Sequence, residues 1–270
     1  MAGGDAAARS SGAGRSQRLP LQRRWMVDLM RACSRTPVVA GVRLLRMRAL
    51  AEARRAVAAP PSWTALIAKA YSLVAAERPE LRTAYLDLPL PRLYVHPHSV
   101  ATIVVEREWR GASGVFFDQI VAPEATPLAR ISRVIDSLKQ LPIEHVGGYR
   151  RQIRFSRLPG PLRRIAWACG LRGSGYLHCR YFGTFSVNSL PVPRSEVVQT
   201  TTAITMSLLH LPLNPSGELP LYYAYDHRVL DGLPAARAIG ALEAALNGPI
   251  VAELRAMAEA AHATAMGEQG

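Results

Sequence analysis

The segment from Thr202 to Leu246 limits the possible folds more than any other part of the chain. Two apolar runs, Thr202–Leu211 and Leu219–Asp226, flank Pro212–Gly217, whose Asn-Pro-Ser-Gly is turn chemistry. They read as an antiparallel hairpin. The second run passes through Tyr225-Asp226-His227-Arg228-Val229-Leu230-Asp231-Gly232 into a helix that starts near Leu233. That helix carries Ala236, Ile239, Leu242 and Leu246 on one face and stops at Gly248-Pro249. A histidine on a tight strand-to-helix loop is within reach of a substrate. Asp231 has two available roles there: an N-cap for the helix, or a fixed charge that orders the loop holding His227.

Two further helices have clear signals. Ser62 precedes Trp63, Leu66, Ile67, Ala70, Tyr71 and Val74 at helical spacing, with Pro79 as the stop. Thr126 reads as a cap and Pro127 as a first helical residue before Leu128, Ile131, Val134, Ile135 and Leu138. Strands are expected at Val38–Leu44, Val100–Glu106 and Thr184–Val187. The elements mix without regular βαβ alternation, and neither GxGxxG nor GxxxxGK[ST] occurs. The expected fold is an α/β (α+β) two-layer sandwich, a mixed sheet flanked by helices.

Charge divides the chain. Of 270 residues, 33 are Lys or Arg against 20 Asp or Glu, and only Lys69 and Lys139 are lysines. Residues 1–55 hold twelve arginines and three acids; residues 150–180 hold eight arginines and no acid. The remainder is slightly acidic, so the basicity belongs to an arm and an insert. Aromatics are only loosely interleaved with these arginines and match no nucleic-acid module, so nucleic acid is not the expected partner. Three cysteines without a CxxC pair point to a reducing, cytoplasmic protein. The histidines are scattered, and the alternating pair His96 and His98 has no cysteine nearby, so no metal site is expected. No apolar run is long enough to cross a membrane, and residues 1–18 lack a secretory signal's apolar core.

Four blocks carry a family resemblance. The string around His227 resembles the "SYDHRVVDGA" motif of the catalytic acyltransferase domain of 2-oxoacid dehydrogenase complexes, a family related to chloramphenicol acetyltransferase. Ser62–Ala70 through Arg78–Tyr85 is similar to that family's helix ending in "PELN". Thr36–Ala40 resembles its "IPHF" strand start, and Gly183–Leu190 its "GTFTISNLG" strand. The blocks fall in family order across residues 23–254. The resemblance implies a chloramphenicol-acetyltransferase-like fold, a homotrimer, and an active site between subunits. It implies transfer of an acyl group from a coenzyme A thioester to a thiol or hydroxyl, with no permanently bound cofactor. His227 would be the general base and Asp231 the anchor of its loop. The oxyanion donor is less defined: the family's serine falls on Asn188, Ser189 follows, and Ser186 is a third candidate. An N-terminal arginine contacts the motif's aspartate in the family; Arg23, Arg24 and Arg31 all lie in the matching stretch, and Arg24 is the candidate here.

The expected organisation is a disordered basic arm at 1–20, an acyltransferase-like domain at 21–255 and a tail at 256–270. With some twenty residues before the domain, no lipoyl module is expected and a stand-alone enzyme is the reading. The basic insert, 144–181, departs most from the family. After Pro161, Leu162, Ile165, Ala166 and Cys169 make one apolar helix face beside Arg163 and Arg164. Three uses are open: a helix packed on the domain with solvated arginines, a phosphate-facing patch for coenzyme A or an acyl carrier protein, or contact with an anionic membrane surface. The alternative to an enzyme is an inactive assembly subunit of the same fold.

Overall fold

The computed structural model describes residues 14–192 and 201–267. Residues 1–13 of the expected arm and 268–270 of the expected tail lie outside them. The described strands are β1 (Val38–Arg46), β2 (Thr83–Leu86), β3 (Arg92–Val95), β4 (Val100–Trp109), β5 (Ala112–Val121), β6 (Phe185–Ser189), β7 (Met206–His210) and β8 (Glu218–Asp226). Six form one mixed sheet in the order β1-β8-β7-β6-β4-β5, while β2 and β3 pair apart. β6 runs parallel to both β4 and β7, and the other neighbours are antiparallel. The hairpin read from the sequence is β7–β8, with a shorter first strand than expected. Thr202 instead closes a local turn through its hydroxyl, which contacts the backbone of Ile204.

The helices are α1 (Leu21–Cys33), α2 (Arg48–Arg55), α3 (Trp63–Glu77), α4 (Leu128–Gln140), α5 (Gly147–Ser156), α6 (Gly160–Ala168), α7 (Gly175–Phe182), α8 (Gly232–Asn247) and α9 (Pro249–Gly267). α3 is buried almost all round, as its run of apolar residues dictates. Ser62 caps it by accepting the Ala65 N–H at 3.3 Å. Thr126 does not cap α4. Its hydroxyl donates to the Ala122 carbonyl, and Glu253 of α9 accepts the Leu128 N–H at 2.7 Å instead. A tertiary partner has replaced the local one. α9 itself runs unbroken past residue 255.

Period-two alternation gives the sheet two different faces. Phe185 and Val187 join Ile103, Met206, Leu208, Leu219 and Leu221 in the core under α3 and α8. Tyr71 of α3 lies 4.3 Å from the Phe185 ring, centroid to centroid. On the opposite face, Asn188, Leu209, Tyr222 and Val42 are aligned across β6, β7, β8 and β1. Only part of this face is covered, by α1 and α5 against β5 and by α6 against α1. Val42 and Leu44 stand exposed on it.

The insert forms three short helices, α5, α6 and α7, where the sequence suggested one amphipathic helix. The apolar face read from the sequence stays largely open: Leu162 and Ile165 are 53% and 61% exposed, whereas Trp167 is buried. α6 docks by its Arg163–Trp167 side because Asp28 of α1 is buried there and needs a counter-charge. Gly183 ends α7 at φ +80°, where any Cβ would strike Thr102 Oγ1 and the Val100 carbonyl. That close approach accounts for the glycine opening the Gly183-Thr184-Phe185 run.

Candidate active site

His227 sits on the loop between β8 and α8. Its backbone N–H donates to the Pro37 carbonyl at 2.9 Å, which fixes the loop against the start of β1. Its ring Nδ1 lies 3.0 Å from the Leu230 carbonyl. A carbonyl can only accept, so that contact requires the proton on Nδ1 and leaves Nε2 with its lone pair. The ring is nearly half exposed. Asp231 occupies the N-cap position of α8, yet its carboxylate makes no capping hydrogen bond. It lies 3.5 Å from His227 Nδ1 instead, and the Asp231 side chain is 84% exposed. Of the two roles open in the sequence, the carboxylate's contact is with the histidine.

The two neighbours of His227 in sequence, Asp226 and Arg228, form an ion pair around it. Asp226 is buried and binds the Arg228 guanidinium through both carboxylate oxygens, at 2.9 and 2.6 Å. Arg228 also lies over the Tyr85 ring, 4.5 Å from its centroid. This clamp on either side of His227 holds the loop to β2. The available signal was an acid closing an apolar strand directly before the histidine, since a buried carboxylate needs a partner nearby.

The three oxyanion candidates separate on β6. Ser186 and Asn188 face the partly covered side, and Ser189 falls on the opposite side at the exposed strand end. The Ser186 hydroxyl is 2.6 Å from that of Ser207, and Asn188 Oδ1 is buried without a hydrogen-bond partner among the described residues. Two basic candidates lie elsewhere than expected. Arg24 reaches the Ser156 carbonyl of α5 at 3.4 Å and is not in contact with Asp231. Arg163 is committed to Asp28 at 2.6 Å, so it is a structural ion pair and not an open phosphate contact. Arg164, one residue on, is exposed and lines a cavity.

That cavity, about 390 Å³, lies beside the His227 loop between α1, α6 and β2. Arg31, Arg35, Arg164, Arg172 and Arg228 line it, with Asp28, Asp87 and Asp226. Each of the three carboxylates already has an arginine partner. The Arg172 guanidinium holds the Asp87 carboxyl below its ordinary pKa. Among the described residues Arg31, Arg35 and Arg164 make no ion pair, so the cavity presents positive charge. His178 closes its floor; burial pushes that imidazole down to about 4, so it is neutral at neutral pH. Two apolar cavities lie on the other side of Trp167. One, about 360 Å³, reaches Ser186 and Asn188; the other, about 480 Å³, is walled by α5, α6 and α7. No group of three His, Cys, Asp or Glu side chains among the described residues could hold a metal. No helix among them is long and apolar enough to cross a membrane.

No protein-family model matches the sequence, and no curated protein is similar to it. Solved structures are similar in fold. A probable dihydrolipoamide acetyltransferase from Listeria monocytogenes 4b F2365 superposes with a TM-score of 0.57 at 17% identity, over 88% of this chain and 95% of that one. The dihydrolipoamide acetyltransferase of Azotobacter vinelandii gives 0.59 at 18%, over 94% and 100%. A truncated catalytic core of the 2-oxoacid dehydrogenase multienzyme complex from Thermoplasma acidophilum gives 0.61 at 14%, over 87% and 99%. The chain therefore has the fold of 2-oxoacid dehydrogenase acyltransferase cores. Within that fold, the exposed histidine loop and the β6 strand carry the candidate residues read from the sequence.

Proposed function

We propose that the protein is a stand-alone acyltransferase that moves an acyl group from a coenzyme A or acyl-carrier thioester to a thiol or hydroxyl. The observation that carries this reading is the contact of His227 Nδ1 with the Leu230 carbonyl, which leaves Nε2 as the basic nitrogen on an accessible loop. A free thiol has a pKa of about 8.5 and is mostly protonated at neutral pH. Nε2 takes the proton of the thiol or hydroxyl as its sulfur or oxygen attacks the thioester carbonyl. The tetrahedral oxyanion collapses, the carbon–sulfur bond breaks, and the imidazolium returns its proton to the departing thiolate. Asp231, 3.5 Å from Nδ1, steadies the ring and the imidazolium charge. The Asn188 amide or the Ser186 hydroxyl supplies the oxyanion donor, with Ser189 the less favourably turned candidate. A histidine, and an asparagine four residues after it, are among the residues examined for the catalytic mechanism of the Azotobacter enzyme. The His227–Asp231 spacing is the same.

The donor's phosphates fit Arg31, Arg35 and Arg164 beside the histidine loop. Self-association into a homotrimer is part of the reading. His227 is exposed, Val42 and Leu44 leave apolar surface on the open sheet face, and a neighbour's β6 would bring the oxyanion donor to the histidine. Cys33, Cys169 and Cys179 as free thiols fit a reducing, cytoplasmic setting.

The test is thioester-dependent thiol release with a panel of acyl-CoA and acyl-carrier donors. His227→Ala is expected to lose about 10²–10⁴-fold in turnover with its circular dichroism spectrum unchanged. Full activity in that variant would remove the proposed base. A wild-type protein that turns over no donor would leave the assembly-subunit reading. A monodisperse monomer in light scattering would remove the intersubunit site.

A further inference from the structure

We infer that the two apolar cavities beside Trp25, the larger of them walled by the insert of residues 144–181, form an acyl pocket that takes a long apolar acyl chain carried by the thioester donor. This rests on the acyltransferase reading and names its substrate class. The cavities measure about 360 and 480 Å³ and share Trp25, Phe117, Trp167, Tyr181 and Phe182. Pockets of roughly 300–1,000 Å³ enclose ligands of many heavy atoms. An acetyl group would leave most of this aromatic lining against water, which is unfavourable in proportion to the apolar area left uncovered. The rings are already arranged as a box: Trp25 lies 4.9 Å from Trp167 and 5.4 Å from Phe155, and Trp167 lies 5.0 Å from Phe182, between centroids.

Position argues for a chain with an anionic head. Trp167 lines both apolar cavities and also the basic one. On a single helix, α6, Arg164 lines the basic cavity and Ala166 the apolar one, with Trp167 common to both. A molecule with phosphates at one end and a hydrocarbon tail at the other matches that sequence of surfaces. Two buried polar atoms along the way, Trp167 Nε1 and Asn188 Oδ1, have no hydrogen-bond partner among the described residues. The Trp167 indole N–H is a donor, and an amide carbonyl of a pantetheine arm offers its complement.

Cys169 reports occupancy. It is exposed and lines the larger cavity. Burial pushes the Cys33 thiol up to about 12 and the Cys179 thiol up to about 11, so neither reacts readily near neutral pH. The probes are unreactive S-alkyl ethers of coenzyme A, from methyl to dodecyl, with N-ethylmaleimide as the thiol reagent. Affinity is expected to rise about fourfold per methylene until the cavity is full. S-dodecyl-CoA should slow Cys169 labelling more than about tenfold at a concentration where S-methyl-CoA does not, a gap that a few methylenes supply. Ala166→Trp, which fills the cavity, should shorten the longest chain that gains affinity. Equal affinity and equal protection for the methyl and dodecyl ethers would overturn the pocket, even if His227-dependent acyl transfer is found. Protection by the dodecyl ether in a protein that transfers no acyl group would keep the pocket and overturn the reaction.

Discussion

The two faces of the central sheet are built to opposite rules. Under α3 and α8 the side chains of β4, β6, β7 and β8 are sealed, with Phe185, Val187, Met206 and Leu208 fully buried. Across the same strands the other face carries Ser186, Ser207, Thr102 and Asn188 beside apolar cavities. It also keeps a buried acceptor, Asn188 Oδ1, that is unpaired among the described residues. A close-packed face gives stability, because every removed methylene is felt. A face with cavities and unpaired polar atoms sacrifices some stability and gains the capacity to bind. The difference marks the cavity face, and not the sealed one, as the side able to take a ligand.

Adjacent residues of β6 offer the sharpest way to break this comparison. Phe185→Ala should cost about 3–5 kcal/mol, since the ring is fully buried against Tyr71. Ser186→Ala, one residue along, should cost no more than about 1 kcal/mol, the net worth of its hydrogen bond to Ser207. Urea unfolding of both variants measures the gap. Equal losses would mean that the cavity face is packed as tightly as the core.

Two adjacent arginines of α6 extend the test to the insert. Arg163→Ala strands the buried Asp28 carboxylate and should destabilise the fold by about 3 kcal/mol, at the low end of the range for a broken buried pair because water still reaches the guanidinium. Arg164→Ala should leave unfolding within about 0.5 kcal/mol. It should weaken coenzyme A binding and flatten its dependence on salt. Calorimetric titration at two ionic strengths reads the second effect. A stability loss from Arg164→Ala with unchanged binding would reverse the two assignments.

Much of this architecture was legible because local and tertiary signals agree. The β7–β8 hairpin, the Ser62 cap and the stop at Gly248-Pro249 each rest on neighbours in sequence. His227 and Asp231 were legible for the same reason: a turn of four residues brings them together. What failed was set by partners far along the chain. Thr126 lost its capping role to Glu253, and Arg163 was drawn inward by Asp28. Which side of α6 packs was left open by its apolar stripe; Trp167 and one ion pair set the docked side and leave Leu162 and Ile165 exposed. Arg24 could not be placed from sequence, since three arginines in that stretch looked equivalent. β5 and the β2–β3 pair gave too little alternation to register.

Buried histidines on the two sides give a smaller effect that sharpens the comparison further. His210 of β7, against Thr64 at 3.0 Å, and His178 of α7 are each lowered by burial to about 4. In the unfolded chain both titrate near about 6.5. Between these values the unfolded state holds protons that the folded state does not, so stability falls as pH drops through this window and is level above it. Each histidine steepens the fall by up to about 1.4 kcal/mol per pH unit. His210→Gln should reduce that slope in global urea unfolding followed by circular dichroism. His178→Gln should reduce it equally if the insert unfolds together with the sheet. An unchanged global slope for His178→Gln alone would show the insert opening as a separate unit, which is the behaviour expected of a wall that admits a ligand.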